Sequence, residues 1–591
     1  WVVCTLILGM TPVYGQHKCA SDIAHSKEMK NALYASHVES NENTVQERIS
    51  INKQKKIKGS IYTVPVVVHV VHLGEVIGVG NNISEAQILS GITQLNNSFK
   101  NAHGQSLDTE IQFELASIDP NCNSTSGIVR VDGSGIAGYS SNGVQISGTG
   151  ADEVTLKALS KWSNKDYYNV WIVSEFDGNN GGTGIQGFAY FSSTAADKDG
   201  SMIMNTAWGN QGTVNFWNNK GNTIVHEMGH ALDLYHTFAG DRDVTGAEIC
   251  PTGHQCGTTV VNGITVQVGD CCADTSPHKR SFSNCLTGSM NTCTGLVNDD
   301  VIHNFMDYSE QDCSYMFTSN QKSRMRAVLE TTRASLLTSK ALDGSISFTE
   351  PIAATCTPGT AALGLSNYYA GILTVKFGDM THVSDYATAD LGYYDRTKSC
   401  VGSVNVSPEG TYDLSISVGG NTNRVKGWID YNNDGDFSES TELVFEQIIT
   451  KDTAAVQSVT IPASAVNNVY LRMRVMNDLA TVTDACYNPM HGQAEDYALI
   501  IKVPSRVDDN KQITSLQVSP NPVINEMNVM GFEGQAANYI VYALTGNIID
   551  EGMLNATGNT VVNTSAYANG VYVIAVNSGG KQVSQKIIKI D

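Results

Sequence analysis

The rhythm of apolar and polar positions changes several times along this chain. Residues 16 to about 58 are polar, rich in Lys and Glu and helix-prone, and they close on the basic stretch KQKKIKG. From Tyr62 the run YTVPVVVHVVH is β-branched and apolar, which predicts a buried strand. SEAQILSGITQLNNSFK then places Ile88, Ile92, Leu95 and Phe99 at helical spacing behind a Ser84 cap. EIQFELASI alternates and predicts a strand, KALSKW a helix, and YYNVWIVSEF, GIQGFAYFSST and SMIMNTAW three further strands. TIVHEMGHALDLYHTF opens as a helix, and a loop-rich stretch crowded with cysteines follows. Strands and helices in this order predict an α+β domain over residues 59–342. Near Thr349 helical periodicity stops. Residues 350–504 and 513–591 are short strands broken by Gly, Asn and turns, which predicts two all-β sandwiches. A polar linker, Ser505 to Gln512, separates them.

Composition narrows the setting. Hydrophobic residues make up 41% and charged residues 16%, a globular balance. Lys plus Arg is 37 against 58 for Asp plus Glu, a formal charge of −21 that repels nucleic acid and anionic membranes. Such a surface suits an exported protein or one that gathers calcium. WVVCTLILGMTPVYG at the start turns polar at Gln16, like the apolar core and small-residue exit of a signal peptide. A buried strand is the other reading. Residues 1–15 are therefore expected to be a signal, and 16–58 a propeptide with an accessible basic cleavage stretch. No later run reaches the roughly 18 apolar residues of a membrane helix. Export exposes the thirteen cysteines to an oxidising medium. Cys250, Cys256, Cys271, Cys272, Cys285, Cys293 and Cys313 crowd one stretch and read first as disulfides pinning long loops, with a structural zinc site as the lesser alternative.

The candidate chemistry lies in HEMGHALDLYH. Residues four apart share a helix face, so His226 and His230 can grip one metal ion. Glu227 stands beside the first ligand. Zinc lowers the pKa of water toward neutrality, and a carboxylate can take the proton of that activated water. A catalytic zinc needs a third protein ligand and an open fourth position. His236 can serve only if the helix stops after about Leu232 and the chain turns back. Such a turn needs a residue in the left-handed region, where Asp233 is tolerable at about 1 kcal/mol relative to Gly. The competing reading is a core helix with incidental histidines. His69 and His72 belong to a buried strand pattern; His254, His278 and His303 lie in loops without ligand spacing.

HEMGHALDLYH resembles the extended zinc motif of the metzincin endopeptidases, with Asp233 in place of the usual Gly. LYHTF together with NFMDYSEQDCSYMFTSNQKSRM (304 to 325) resembles the pappalysin, or cytophagalysin, family, and the likeness runs from about Tyr62 to Leu337 through FELA, GIVRV and GFAYF. The resemblance implies that Met306 forms a methionine turn beneath the metal and that Tyr308 hydrogen-bonds the tetrahedral oxyanion. It implies that the strand from Gln186 to Phe191 is the upper rim of a cleft, to which substrate adds as a strand. It makes Asp270 and Asp274 of GDCCADTSP candidate calcium ligands. It also casts Cys19 as a propeptide thiol at the fourth zinc position, holding a zymogen latent; an ordinary disulfide partner is the alternative. Were Cys4 and Cys19 lost on processing, eleven cysteines would remain and at least one would be unpaired or intermolecular.

DYNNDGDFSESTE sets Asp430, Asn432, Asp434 and Gly435 in the D-x-N-x-D-G order of a calcium loop. Thr441 stands where an EF-hand has its Glu, with Glu442 one later, and no helices flank the loop. The reading is a calcium-binding hairpin loop or an Asx-rich turn. GWIDYNNDGDF and GQAEDYALII resemble the GEVED-type β-sandwich of bacterial secreted proteins, which implies an accessory binding role. VSPNPVINEMNV, YALTGNIIDEGML and NGVYVIAVNSGGKQVSQKIIKI resemble the type IX secretion sorting domain of Bacteroidetes, which implies the type IX secretion machinery as a partner and an extracellular or cell-surface location. The expected protein is a secreted zinc endopeptidase acting on extended proteins or peptides, with Zn2+ held by His226, His230 and His236 and with Ca2+ bound elsewhere. Its rivals are an adhesin with a structural zinc, against which Glu227 argues, and a metal-dependent hydrolase of non-peptide substrates.

Overall fold

The computed structural model describes residues 18–590 except 56–59, 103, 105, 180–183, 243–246, 252–256, 262–263, 281–284, 286–287, 289, 298, 345–347, 360–369, 385–391, 439, 503–515, 534–536, 544–547, 555–556 and 579–580. The signal-like stretch with Cys4, part of the basic KQKKIKG stretch, His254, Cys256 and the 505–512 linker lie outside the described residues. The chain forms two bodies, residues 1–502 and 503–591.

The first body opens with β1 (Lys18–Cys19), α1 (Ser21–Glu28) and α2 (Ala32–Lys55). β2 (Tyr62–His72) is the buried run seen in the sequence, and α3 (Glu85–Phe99) begins where the Ser84 side chain accepts from the Gln87 amide. Then follow β3 (Ile111–Leu115), β4 (Ile128–Asp132), α4 (Tyr139–Asn142), α5 (Glu153–Lys157), β5 (Tyr168–Val173), β6 (Ile185–Ala189) and β7 (Ser201–Met204). The helix expected over KALSKW ends where that stretch begins. Asp152 caps α5 earlier, by accepting from Thr155 N, and the Lys157 side chain is buried over the Trp171, Phe188 and Tyr190 rings.

The strands form one mixed sheet in the order β1-β6-β7-β5-β2-β3, with β4 also on β2. All pairings are parallel except β6 with β7. Parallel strands buried on both faces need near-continuous apolar sequence, which is what β2 and β5 supply. α6 (Asn222–Ala231) packs on this sheet and is buried along its whole length. The hairpin β8 (Gly257–Val261)–β9 (Ile264–Val268), α7 (Asp299–Ile302), α8 (Ser319–Glu330) and α9 (Ala334–Thr338) complete the region. Its core joins Val66, Val68, Trp171 and Ile203 of the sheet to Ile224, Val225 and Met228 of α6 and to Met306.

Residues 371–501 of the same body form a sandwich. One sheet runs β11 (Met380–Val383), β10 (Gly371–Phe377), β14 (Thr411–Gly419), β17 (Thr453–Thr460). The other runs β12 (Tyr393–Asp395), β19 (Ala494–Ile501), β18 (Tyr470–Asp478), β15 (Asn423–Ile429), β16 (Leu443–Ile449), with β13 (Val404–Val406) on β19. This sandwich is joined to the first region by the Cys122–Cys400 disulfide and by a buried Asp166–Arg396 ion pair at 3.3 Å. The second body is another sandwich, with sheets of three and four strands among the described residues.

Candidate metal centre

Helical spacing sets His226 and His230 on one face of α6. The helix then stops: Leu232 caps it, Asp233 takes φ +60°, and the Leu234 amide turns back to the Gly229 carbonyl at 2.9 Å. Two buried arginines serve the carbonyls that the helix end leaves over. Arg333 Nε donates to Ala231 O at 2.8 Å and Arg324 Nε to Asp233 O at 2.6 Å. Arg333 is balanced by Asp199, and Arg324 by Glu42 of α2 through two bonds of 2.8 and 2.6 Å.

The turn brings His236 back to its partners. The three Nε2 atoms lie 3.1 Å from one another. Each Nδ1 faces an acceptor: Phe305 O at 2.6 Å for His226, Leu234 O at 2.7 Å for His230, and the Asp22 carboxylate at 2.9 Å for His236. The ring proton therefore sits on Nδ1, and three Nε2 lone pairs converge. Lone pairs in that arrangement repel unless a cation lies between them. Tetrahedral zinc, with bonds of about 2.0–2.1 Å to nitrogen, sets its ligands about 3.3–3.4 Å apart. The residues present fit such an ion.

Cys19 Sγ completes a set of four ligand atoms within 4.8 Å of one another, and its thiol is free. Glu227 is fully buried. Its Oε2 accepts from Cys19 Sγ and Ser21 Oγ, each at 3.3 Å, whereas Oε1 is buried without a partner. Burial pushes the carboxyl up to about 8, and the Cys19 and Ser21 hydrogen bonds offset this only in part. A dication beside it would draw it back down. Tyr308 donates to Cys19 O at 3.2 Å and its ring packs edge-on to His236 with centroids 4.8 Å apart. Met306 is wholly buried, and its sulfur rests on Gly229 so closely that a Cβ there would lie 2.3 Å from it. The Met306 carbonyl accepts from Thr237 N, one residue past the third ligand, at 3.2 Å.

β6 forms the upper wall. Gly187 lies against Glu227, where a Cβ would stand 3.2 Å from both Cγ and Oε1. The N-terminal strand β1 occupies the edge of this strand in parallel register, Lys18 opposite Ile185 and Cys19 opposite Gly187. Ala20 N donates to Gly187 O at 3.1 Å, and Ala189 N to Ser21 Oγ at 3.0 Å.

The expected calcium residues do not gather in the same way. Asp270 accepts from Cys272 N at 3.1 Å and from the Thr275 hydroxyl at 2.7 Å, while Asp274 accepts from Asn320 N at the start of α8 at 2.9 Å. Asp430 accepts from Asp434 N at 3.2 Å and Gly435 N at 2.9 Å. Asn432 takes Asp434 N at 3.1 Å and donates to the Asp434 carboxylate at 2.9 Å. These oxygens are engaged by nearby amides and hydroxyls, which hold turns and a helix start. Among the described residues, Cys19, His226, His230 and His236 are the one group of three or more His, Cys, Asp or Glu placed to hold a metal. His69 is a core residue on Asn169 at 2.9 Å, and His303 binds Cys313 O. Disulfides join Cys250–Cys293, Cys285–Cys313 and Cys356–Cys486; Cys271 is also bonded, and Cys272 is a buried free thiol.

Ser21, Asp22, Arg324 and Arg333 escaped the reading of the sequence. Adjacency to Cys19 was the available signal for the first two. The arginines act across 91 and 102 residues, and nothing local marks them.

A buried helix with two imidazoles, a third returned by a left-handed turn, a carboxylate with an uncommitted oxygen and a strand edge that already pairs with an extended segment together define a metallopeptidase-type centre. Residues 151–330 match the family described as pregnancy-associated plasma protein-A, residues 424–500 the GEVED domain, and residues 517–590 the secretion system C-terminal sorting domain. An extracellular metalloprotease of Sordaria macrospora is 31% identical over 262 residues, 43% of this chain and 70% of that protein. One of Colletotrichum graminicola is 29% identical over 189 residues, 31% of this chain and 56% of that protein. Several of these relatives are matched over little more than half their length, for example 51% and 59%. Mature mirolysin of Tannerella forsythia, solved with a cleaved peptide, is 26% identical, covering 49% of this chain and 100% of its own at a TM-score of 0.37.

The chain belongs to this pappalysin family of extracellular metalloproteases. Its sorting domain and its relatives make it a secreted or cell-surface protein, and no described helix is long and apolar enough to cross a membrane.

Proposed function

We propose that the protein is a zinc endopeptidase acting on extended protein segments, and that its own leader holds it latent. The observation that carries this reading is the convergence of three Nε2 lone pairs, 3.1 Å apart, beside the uncommitted Glu227 Oε1. Zinc bound there supplies a Lewis acid and brings the pKa of water toward neutrality. The chain's own residues do the rest. Phe305 O and Leu234 O hold the His226 and His230 rings in orientation. Glu227 takes a proton from the attacking water and passes it to the leaving amine nitrogen. The Tyr308 hydroxyl, engaged here by Cys19 O, donates to the substrate oxygen as it gains charge. Met306 supports the floor beneath the ligands. The edge of β6 takes an extended peptide by main-chain hydrogen bonds, and the leader's occupation of that edge supports this. Cys19, within ligand distance of all three histidines, supports latency through its thiol. The terminal sandwich presents the chain to the type IX secretion machinery.

The test is peptide cleavage by the leader-free protein with and without chelator, alongside metal analysis and Glu227→Ala. Wild type is expected to carry about one zinc and to lose cleavage with the metal. Glu227→Ala is expected to keep zinc and fall about 10²–10⁴-fold in rate. Wild type and variant equally inert would favour the adhesin reading, and cleavage by zinc-free protein would overturn the zinc mechanism.

A further inference from the structure

The turn that returns His236 needs a left-handed residue, and Gly would serve it with no side chain to bury. This chain has Asp233 at φ +60° instead, with 6% of its surface exposed. Its carboxylate grips one residue 41 positions upstream: Oδ1 accepts from Ser192 N at 2.7 Å and Oδ2 from Ser192 Oγ at 2.6 Å. Ser192 lies just past the rim strand β6. Its neighbour Phe191 packs edge-on to the ligand His230, with centroids 5.7 Å apart, and against Tyr235 at 4.9 Å. The Asp233 carbonyl is held separately by Arg324 at 2.6 Å. Two walls thus meet at this residue, the ligand turn through its backbone and the rim strand through its carboxylate. Midway along β6, Gly187 abuts Glu227.

We propose that Asp233 is a positioning residue that clamps the substrate-binding rim strand to the metal-ligand turn and so sets the width of the cleft. The proposal rests on the peptidase reading for its kinetic arm but not for its structural one. A carboxylate that only tolerated the turn would be free to point into solvent. Here both oxygens are committed to one distant residue by bonds short enough to be charge-assisted. Loosening this clamp frees the rim, not the nucleophile, so binding should suffer before turnover.

The experiment uses the leader-free full chain and compares Asp233→Gly, Asp233→Asn, Ser192→Ala and the double variant Asp233→Gly/Ser192→Ala. Asp233→Gly is expected to raise KM roughly tenfold, the worth of one charged hydrogen bond, with kcat within about twofold. Amide exchange over residues 187–192 should quicken in the same variant. Asp233→Asn, which still tolerates the turn and keeps an acceptor oxygen, should recover most of both effects. Ser192→Ala should reproduce them in part, and the double variant should be no worse than Asp233→Gly, because both changes break one contact. Wild-type KM and exchange in Asp233→Gly, or additive effects in the double variant, would overturn the clamp. If Asp233→Gly does not fold, Ser192→Ala carries the test alone: wild-type exchange at 187–192 would overturn the clamp. An inactive, zinc-free wild type would refute the peptidase reading while leaving the exchange arm to decide the clamp.

Discussion

The metal centre and the Asp430 loop both begin as short motifs of ligating residues, yet they are built in opposite ways. The loop closes on itself: Asp430, Asn432 and Asp434 bond amides and side chains within six residues, Asp430 to Gly435. The centre draws on four separated segments, with Asp22 on His236, Phe305 O on His226, Gly187 against Glu227 and Arg324 behind the turn. A local motif satisfied locally makes a turn. Where distant segments take up two of the three outer ring nitrogens and the turn itself the third, the inner lone pairs are left for an ion.

The largest expected effect that sharpens this contrast is at Glu42, far from the metal in sequence. Glu42→Gln leaves the Arg324 charge buried. It should destabilise the uncleaved chain by about 2–4 kcal/mol, somewhat below a fully buried pair because the Glu42 side chain keeps 20% exposure. Thermal unfolding reads this directly. pH gives a second handle on the same pair. Burial raises the Glu42 carboxyl, but the Arg324 hydrogen bonds and charge outweigh it, so the net shift is downward. Its stabilisation is therefore present above the unfolded value of about 4.3 and is lost as pH falls through the lower folded value. The gap in melting temperature between wild type and Glu42→Gln should close in acid; a gap that persists would assign the loss to packing.

Next in size is Asp22→Ala. Removing the partner of the His236 Nδ1 should weaken zinc binding about 10–100-fold in the uncleaved chain, and not at all once the leader has gone. Competition with a chromophoric chelator measures both states. Equal affinities in variant and wild type before cleavage would make Asp22 incidental. The smallest effect is at Asp430. Asp430→Ala should lose about 1–3 kcal/mol through its two amide partners, by the same amount with and without added calcium. A loss that appears only in calcium would make the loop a cation site after all and dissolve the contrast.

This difference also explains what could be read beforehand. The 226/230 spacing, the Ser84 cap, the β-branched run of β2 and the need for a reversal at Asp233 are all local, and each is present in the structure. Asp270 and Asp274 show what spacing leaves open: short acidic side chains bind amides as readily as cations, and only the neighbours decide which they take. Arg324 and Arg333 were invisible because their targets are backbone carbonyls, which carry no sequence signal. The odd cysteine was anticipated by parity; its identity as Cys272 needed coordinates.

The Cys122–Cys400 bond, between cysteines 278 positions apart, closes a covalent ring around the whole of the ligand helix, the Met306 turn and the disulfide-rich loops. A single nick anywhere inside that ring leaves both fragments tethered to each other. Accidental self-digestion in its loops would therefore shift the band on a reducing gel without releasing a piece into the medium.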